Sequence, residues 1–187
     1  EKTGTIQQMP LLMMQRVLGE NGQIIWRKAN GIDNSPVIPW SEQKSMSHET
    51  TFDKDTTDIE QLKKVLIKMV DKLSFELRSA KKVCGCITLK IRYSDFQTHT
   101  FQCRIPYTAS DHVLLNKVLE LFRKNYSRRV LIRLIGVRLS NLVSGFTQIN
   151  LYEDTEEMIG LYQSMDKIRN KYGFKAIMRG IHMKNTS

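Results

Sequence analysis

From Ser45 the chain alternates polar and apolar positions: Ser45, Ser47, Glu49 and Thr51 against Met46, His48, Thr50 and Phe52. A period of two predicts a strand with one face on a core. The period then changes. Ile59, Leu62, Leu66, Met69, Leu73, Leu77 and Ala80 recur every three or four residues, the stripe of a helix packed on something. Thr57-Asp58-Ile59-Glu60 has the form of a capping box that would start it. Alternation returns with Val83, Ile87, Leu89, Ile91 and Tyr93 on one side and Cys84, Cys86, Thr88, Lys90 and Arg92 on the other. A turn near Ser94-Asp95 makes a hairpin with a third strand, in which His99, Phe101, Cys103 and Ile105 alternate with Thr98, Thr100, Gln102 and Arg104. Pro106 is expected to end that strand. Ser110 or Thr108 would cap a second helix whose stripe is Leu114, Leu115, Val118, Leu121 and Phe122.

The last strand, Leu131-Ile-Arg-Leu-Ile-Gly-Val-Arg-Leu-Ser140, carries two arginines and breaks its own alternation. With Val130, Ile132 and Leu134 in the core, a regular strand would bury Arg138. An extra residue at Gly136 removes the conflict: a bulge there returns Val137 and Leu139 to the core and puts Arg133, Arg138 and Ser140 on one solvent face. The blander reading is an edge strand whose arginines discourage aggregation. The element order predicts an α+β, ferredoxin-like split βαββαβ domain, with two helices on one face of a four-stranded antiparallel sheet and flanking helical segments. The uncovered face would present Ser45, Ser47, Thr51, Lys90, Arg92, Thr98, Thr100, Gln102, Arg104, Arg133, Arg138 and Ser140.

Around this domain, assigned to residues 44–142, lie three further segments. Residues 1–33 read as short helices around Met9–Met14, a Gly-rich turn at Leu18–Gly22 and a helical piece from Ile24 to Ala29, too small to bury a core alone. Residues 34–43 contain Pro36 and Pro39, which favour an extended tether. In residues 143–187 a helix is expected from Thr155, with Met158, Tyr162, Met165, Ile168 and Tyr172 as its stripe and Gly173 as its terminator.

Charge sharpens the picture. The 187-residue chain carries a net charge of +10, and Lys81–Ser140 holds twelve Lys and Arg against Asp95, Asp111 and Glu120, so that segment alone is 12 − 3 = +9. Such an excess points to an anionic partner, and to nucleic acid before membrane because no basic amphipathic helix accompanies it. A soluble basic surface is the plainer alternative. Cations would attract phosphates at range, while hydroxyls, Gln and edge amides fix position. An RNA-recognition module shares the topology but stacks bases on exposed aromatics, whereas Phe101 and Tyr93 fall in the core register.

Several classes are disfavoured. There is no run of eighteen apolar residues and no signal-peptide pattern, and the start at Glu1 suggests the middle of a longer product. Cys84, Cys86 and Cys103 lack disulfide or zinc spacing and read as reduced thiols of a cytoplasmic protein. His48 and His99 fall in core registers, His112 opens a helix and His182 lies in the tail, with no nucleophile at a local spacing. Asp53 and Asp55 suit turn and capping roles better than catalysis.

The residues Arg133-Leu-Ile-Gly136-Val-Arg138-Leu-Ser140 resemble the last strand of the little finger domain of Y-family DNA polymerases, the DinB or DNA polymerase IV group. Lys44–Ser47, Glu49–Phe52 and Asp55 are similar to that domain's first strand. Leu18-Gly19, Gly22, Trp26 and Ala29–Asp33 resemble the end of the family's thumb, and Met165–Arg169 with Lys171–Gly173 resemble its tail. Gln148-Ile149-Asn150-Leu151-Tyr152 resembles the family's sliding-clamp peptide, typically Gln-Leu-x-Leu-Phe, with Ile149 and Tyr152 as conservative departures. In such a peptide Ile149, Leu151 and Tyr152 would fill an apolar groove while the Gln148 amide sets the register.

The resemblance implies a monomeric piece of a translesion polymerase that holds primer-template DNA sequence-independently and docks on the sliding clamp. It implies no catalytic residue, metal ligand or cofactor in this segment. Magnesium and nucleotidyl transfer would belong to a palm domain outside it, leaving this piece inactive alone. The competing reading is a non-enzymatic protein-interaction module whose main partner is the clamp.

Overall fold

The computed structural model describes residues 3–39, 41–126, 130–145 and 156–180. The chain divides into two compact units, Glu1–Glu42 and Gln43–Ser187, parting at the end of the proline-containing stretch.

The smaller unit holds α1 (Thr3–Gln8), α2 (Leu11–Leu18) and α3 (Glu20–Ala29). The turn is tighter than the glycines suggest. Gly19 alone makes it, at φ 61°, and α3 takes in Gly22, where a Cβ would come within 2.1 Å of the Met14 carbonyl oxygen. The Trp26 indole donates to the Met9 carbonyl at 2.9 Å. Among its described residues Met14 and Gly22 are the buried helical ones, while Leu12 and Val17 stand 80% and 70% exposed, so these residues enclose no core of their own.

The larger unit runs β1 (Ser45–Thr56), α4 (Ile59–Ser79), β2 (Lys82–Tyr93), β3 (Thr98–Thr108), α5 (Asp111–Asn125), β4 (Ile132–Ser144) and α6 (Glu156–Tyr172), followed by a 3-10 turn at Phe174–Ala176. The four strands form one antiparallel sheet in the spatial order β1-β4-β2-β3. This is the predicted α+β, ferredoxin-like class, with the last strand inserted between the first and second. Leu62, Leu66, Leu73 and Leu77 of α4 and Leu114, Val118 and Phe122 of α5 are buried against Ile87, Leu89 and Ile91 of β2 and Ile135, Val137 and Leu139 of β4. Burying each such side chain contributes about 1.5–3 kcal/mol.

Two local expectations are corrected. The start of α4 is not a Thr57 capping box. Asp58 is the N-cap, its carboxylate accepting from the Glu60 and Gln61 amides at 2.9 and 3.2 Å, and Ile59 is exposed at the first helical position. Asp58→Ala should therefore lower stability by about 1 kcal/mol, read from the midpoint of urea unfolding. Nor does Pro106 end β3. The strand continues to Thr108, and because β3 is an edge, a missing N–H is tolerated there while the register against β2 slips between Cys84 and Cys86. The Thr108 hydroxyl accepts the Ser110 amide at 3.1 Å just before α5.

Helix α6 ends at Gly173, whose φ of 90° suits only glycine well, and its packed face takes in only part of the expected apolar stripe. Ile168 and Tyr172 are exposed, while Tyr162 and Arg169 are buried. Charge docks the helix. Arg78 of α4 makes a two-pronged pair with Asp166 at 2.6 and 2.9 Å, donates to the Ala109 carbonyl at 2.9 Å and pairs with the fully buried Asp111. Arg179 reaches Asp71 at 2.7 Å and Asp111 at 3.7 Å, and the Tyr162 hydroxyl meets His112 Nδ1 at 2.8 Å. Burial opposes the Arg78 charge, but the hydrogen bond to Asp166 and the charge of Asp111 outweigh it and hold the guanidinium above its ordinary value.

Among the described residues no helix is long and apolar enough to cross a membrane. All three cysteines are free, and burial pushes the Cys84 thiol up to about 12.

Candidate nucleic-acid interface

The two helices cover one face of the sheet, and the pairing register fixes what the other presents. Four rows cross it from β1 to β3: Ser45, Ser140, Cys86, Arg104; then Ser47, Arg138, Thr88, Gln102; then Glu49, Gly136, Lys90, Thr100; and Thr51, Leu134, Arg92, Thr98. Eleven of the twelve residues that alternation assigned to this face lie in these rows. The twelfth, Arg133, occupies a different position.

The irregularity of β4 is at Arg133 and not at Gly136. Leu134 pairs with Arg92 and Thr51, whereas Ile132 pairs with Tyr93 and Thr56, leaving Arg133 as the extra residue between them. A bulge there lets Ile132 and Ile135 both turn into the core and directs Leu134, expected in the core, to the open face. From Leu134 to Ser140 the pairing is regular, so Arg138 reaches solvent without a second bulge. The Arg133 guanidinium lies 4.7 Å from the Phe96 ring centroid and 3.7 Å from Asp55, at the margin of the face.

Gly136 has another role. The Lys90 ammonium sits 2.9 Å from both carboxylate oxygens of Glu49, and the Glu49 side chain lies over Gly136, where a Cβ would come within 2.6 Å of Glu49 Cγ and 3.2 Å of the His48 carbonyl. The glycine is the floor of this ion pair. Glu49, which sequence reasoning left out, therefore damps one cation at the centre of the face. Its position opposite Lys90 follows only from the register of β1 on β4 and of β4 on β2. If this face holds duplex DNA, Glu49→Gln should tighten that binding and steepen its salt dependence by up to about 0.9, as measured by anisotropy across a salt series.

Other cations are set differently. Arg92 Nε donates to the Thr98 hydroxyl at 2.8 Å, which aligns its side chain along the row, while Arg104 and Arg138 are exposed. Part of the basic excess lies elsewhere, because Lys117, Arg123 and Lys124 belong to α5. Among the described residues, His48 meets Glu76 at 3.0 Å, His99 packs beside Tyr93 and Phe101, and His112 meets the Tyr162 hydroxyl. Among the described residues no cluster of His, Cys, Asp and Glu converges to hold a metal ion, and Asp55 serves Arg133. Tyr93 is buried, and Phe96 at the rim lies against Arg133, so the rows offer no aromatic platform for stacked bases. Gln148, Ile149, Leu151 and Tyr152 lie outside the described residues.

Comparison with known proteins supplies the wider setting. The impB/mucB/samB family C-terminal domain matches residues 43–151. A DNA polymerase IV of Clostridium acetobutylicum is 36% identical over 167 residues, covering 86% of this chain and 42% of that protein. A DNA polymerase IV of Dehalococcoides mccartyi is 32% identical over 185 residues, 95% of this chain and 46% of the relative. DNA polymerase IV 1 of Bacillus subtilis is 31% identical over 180 residues, 91% of this chain and 43% of the relative. The chain thus spans less than half the length of these relatives.

Proposed function

Since the chain belongs to the impB/mucB/samB family, matching its C-terminal domain, we propose that it is the DNA-holding end of a translesion DNA polymerase of the Y family. The larger unit acts as the little finger and grips primer-template DNA by its phosphates. The observation that carries this reading is the open sheet face, on which Lys90, Arg92, Arg104 and Arg138 stand among the hydroxyls of Ser45, Ser47, Thr51, Thr98, Thr100 and Ser140.

Dimensions support it. Three gaps of about 4.8 Å make the sheet roughly 14 Å from edge to edge, close to the ~12 Å width of the major groove. A sheet laid over the groove brings Arg104 and the hydroxyls of the edge strands against the two phosphate ridges, with Lys90, Arg92 and Arg138 reaching toward them from the central strands. Cations then neutralise phosphates, and hydroxyls with the Gln102 amide hold the register without reading base edges. Within the parent enzyme, such a grip keeps the template in place when a damaged base pairs poorly. Nucleotidyl transfer, with its magnesium ions, falls to a palm domain of the longer protein.

Fluorescence anisotropy of this chain on a labelled primer-template tests the proposal. Binding that ignores sequence and falls steeply with salt is expected, each phosphate neutralised adding about 0.9 to the logarithmic slope. Absence of binding at low salt would refute it. Clamp docking through Gln148, Ile149, Leu151 and Tyr152 is a second part of the proposal, supported by the form of that peptide. Leu151→Ala with Tyr152→Ala should abolish clamp binding and leave DNA affinity unchanged, as measured by surface plasmon resonance on each partner. Retained clamp binding would remove this part alone.

A further inference from the structure

On the helical side of the larger unit, α4, the end of α6 and the 3-10 turn enclose a pocket of about 690 Å³. Arg169 lines it and is only 2% exposed. Its guanidinium lies 4.6 Å from the Phe174 ring centroid and 5.9 Å from that of Phe75, and Nη2 makes one long hydrogen bond, 3.4 Å, to the Ile177 carbonyl. The Nε and Nη1 donors have no partner among the described residues. Aromatic faces offset part of the charge, but they cannot replace two missing acceptors, and a buried guanidinium left so is costly.

The surroundings say what would supply those acceptors. Lys68, Lys72 and Lys175 also line the pocket, and the carboxylate beside them, Asp71, is held by Arg179 at 2.7 Å. The counter-charge of Lys72 is the distant Glu76, at 3.9 Å. The field therefore favours a dianion with several oxygens over a single carboxylate. Tyr172, Phe174 and Met178 give the same pocket an apolar wall, which free phosphate would leave unused.

We propose that this pocket binds a small aromatic phosphate monoester, Arg169 and the rim lysines taking the phosphate and the apolar wall the organic part. The site lies on the helical side and does not rest on the DNA-holding role of the open face. Occupancy would also tie the end of α6 to α4.

Phenyl phosphate is the probe, titrated into the whole ¹⁵N-labelled chain with inorganic phosphate and phenol as controls. The Arg169 Nε–H resonance should move on addition of phenyl phosphate, and phenyl phosphate should bind about tenfold more tightly than inorganic phosphate or phenol. Because Arg169→Gln is liable to misfold, the second variant is Lys68→Ala with Lys175→Ala. It should weaken phenyl phosphate about tenfold without changing the melting temperature of the free chain. An unmoved Arg169 signal, or unchanged binding by the lysine variant, would overturn the site. Equal binding of inorganic phosphate or phenol would overturn the monoester, and displacement of phenyl phosphate by a DNA duplex would overturn the small-ligand assignment.

Discussion

Replacing Arg104 and Arg138 together with Ala should weaken primer-template binding about thirty-fold at low salt, on roughly 1 kcal/mol for each phosphate left without its guanidinium. The logarithmic salt slope should fall by about 1.8, twice the contribution of one phosphate. Both side chains are exposed on the open face, so the melting temperature should stay where it is. Arg133→Ala behaves differently. Its side chain holds Asp55 and covers Phe96 at the bulge, so its loss should lower stability as well as binding. A double variant that keeps wild-type affinity and slope would show that DNA does not lie on this face.

Arg78→Ala should produce the largest loss of stability, about 3–5 kcal/mol, because it strands the fully buried Asp111 and frees Asp166 from α4. For a unit of this size that is a fall of roughly 10 °C in melting temperature. The same change undocks α6, since the two-pronged pair with Asp166 is its main tie to α4. Thermal denaturation followed by circular dichroism measures the first effect, and protease cleavage within α6 the second. A variant that melts within about 2 °C of the parent would mean that Arg179 alone suffices to neutralise Asp111.

These two outcomes depend on features that were legible to different degrees. The faces of β1, and of β2 from Ile87 onward, could be read because one side is buried, and Met46, Ile87, Leu89 and Ile91 mark it directly, whereas Cys84 and Cys86 on the other side of β2 are buried as well. The stripe of α4 was legible for the same reason. Strand order was not, since no residue in β1 announces that β4 will be its neighbour. The bulge was misplaced because Leu134 is apolar on an open face, where it passed for a core residue, while the true core partner of Ile132 is Ile135. The packed side of α6 was legible only in part, at Tyr162, because much of the rest is made of charge. Asp166 and Arg169 look like solvent residues until Arg78 and the Phe174 ring are placed beside them.

The spatial order β1-β4-β2-β3 has a dynamic consequence. Lys90, Arg92 and Arg138 ride on β2 and β4, each hydrogen-bonded on both sides, whereas Ser45, Ser47 and Thr51 on β1 and Thr98, Thr100 and Gln102 on β3 ride on edges. Edge strands open locally at a lower free energy than central ones. In the proposed complex, fraying would therefore relax the groups that set register before it disturbs most of the field, so that bound DNA could slip by a step without being released.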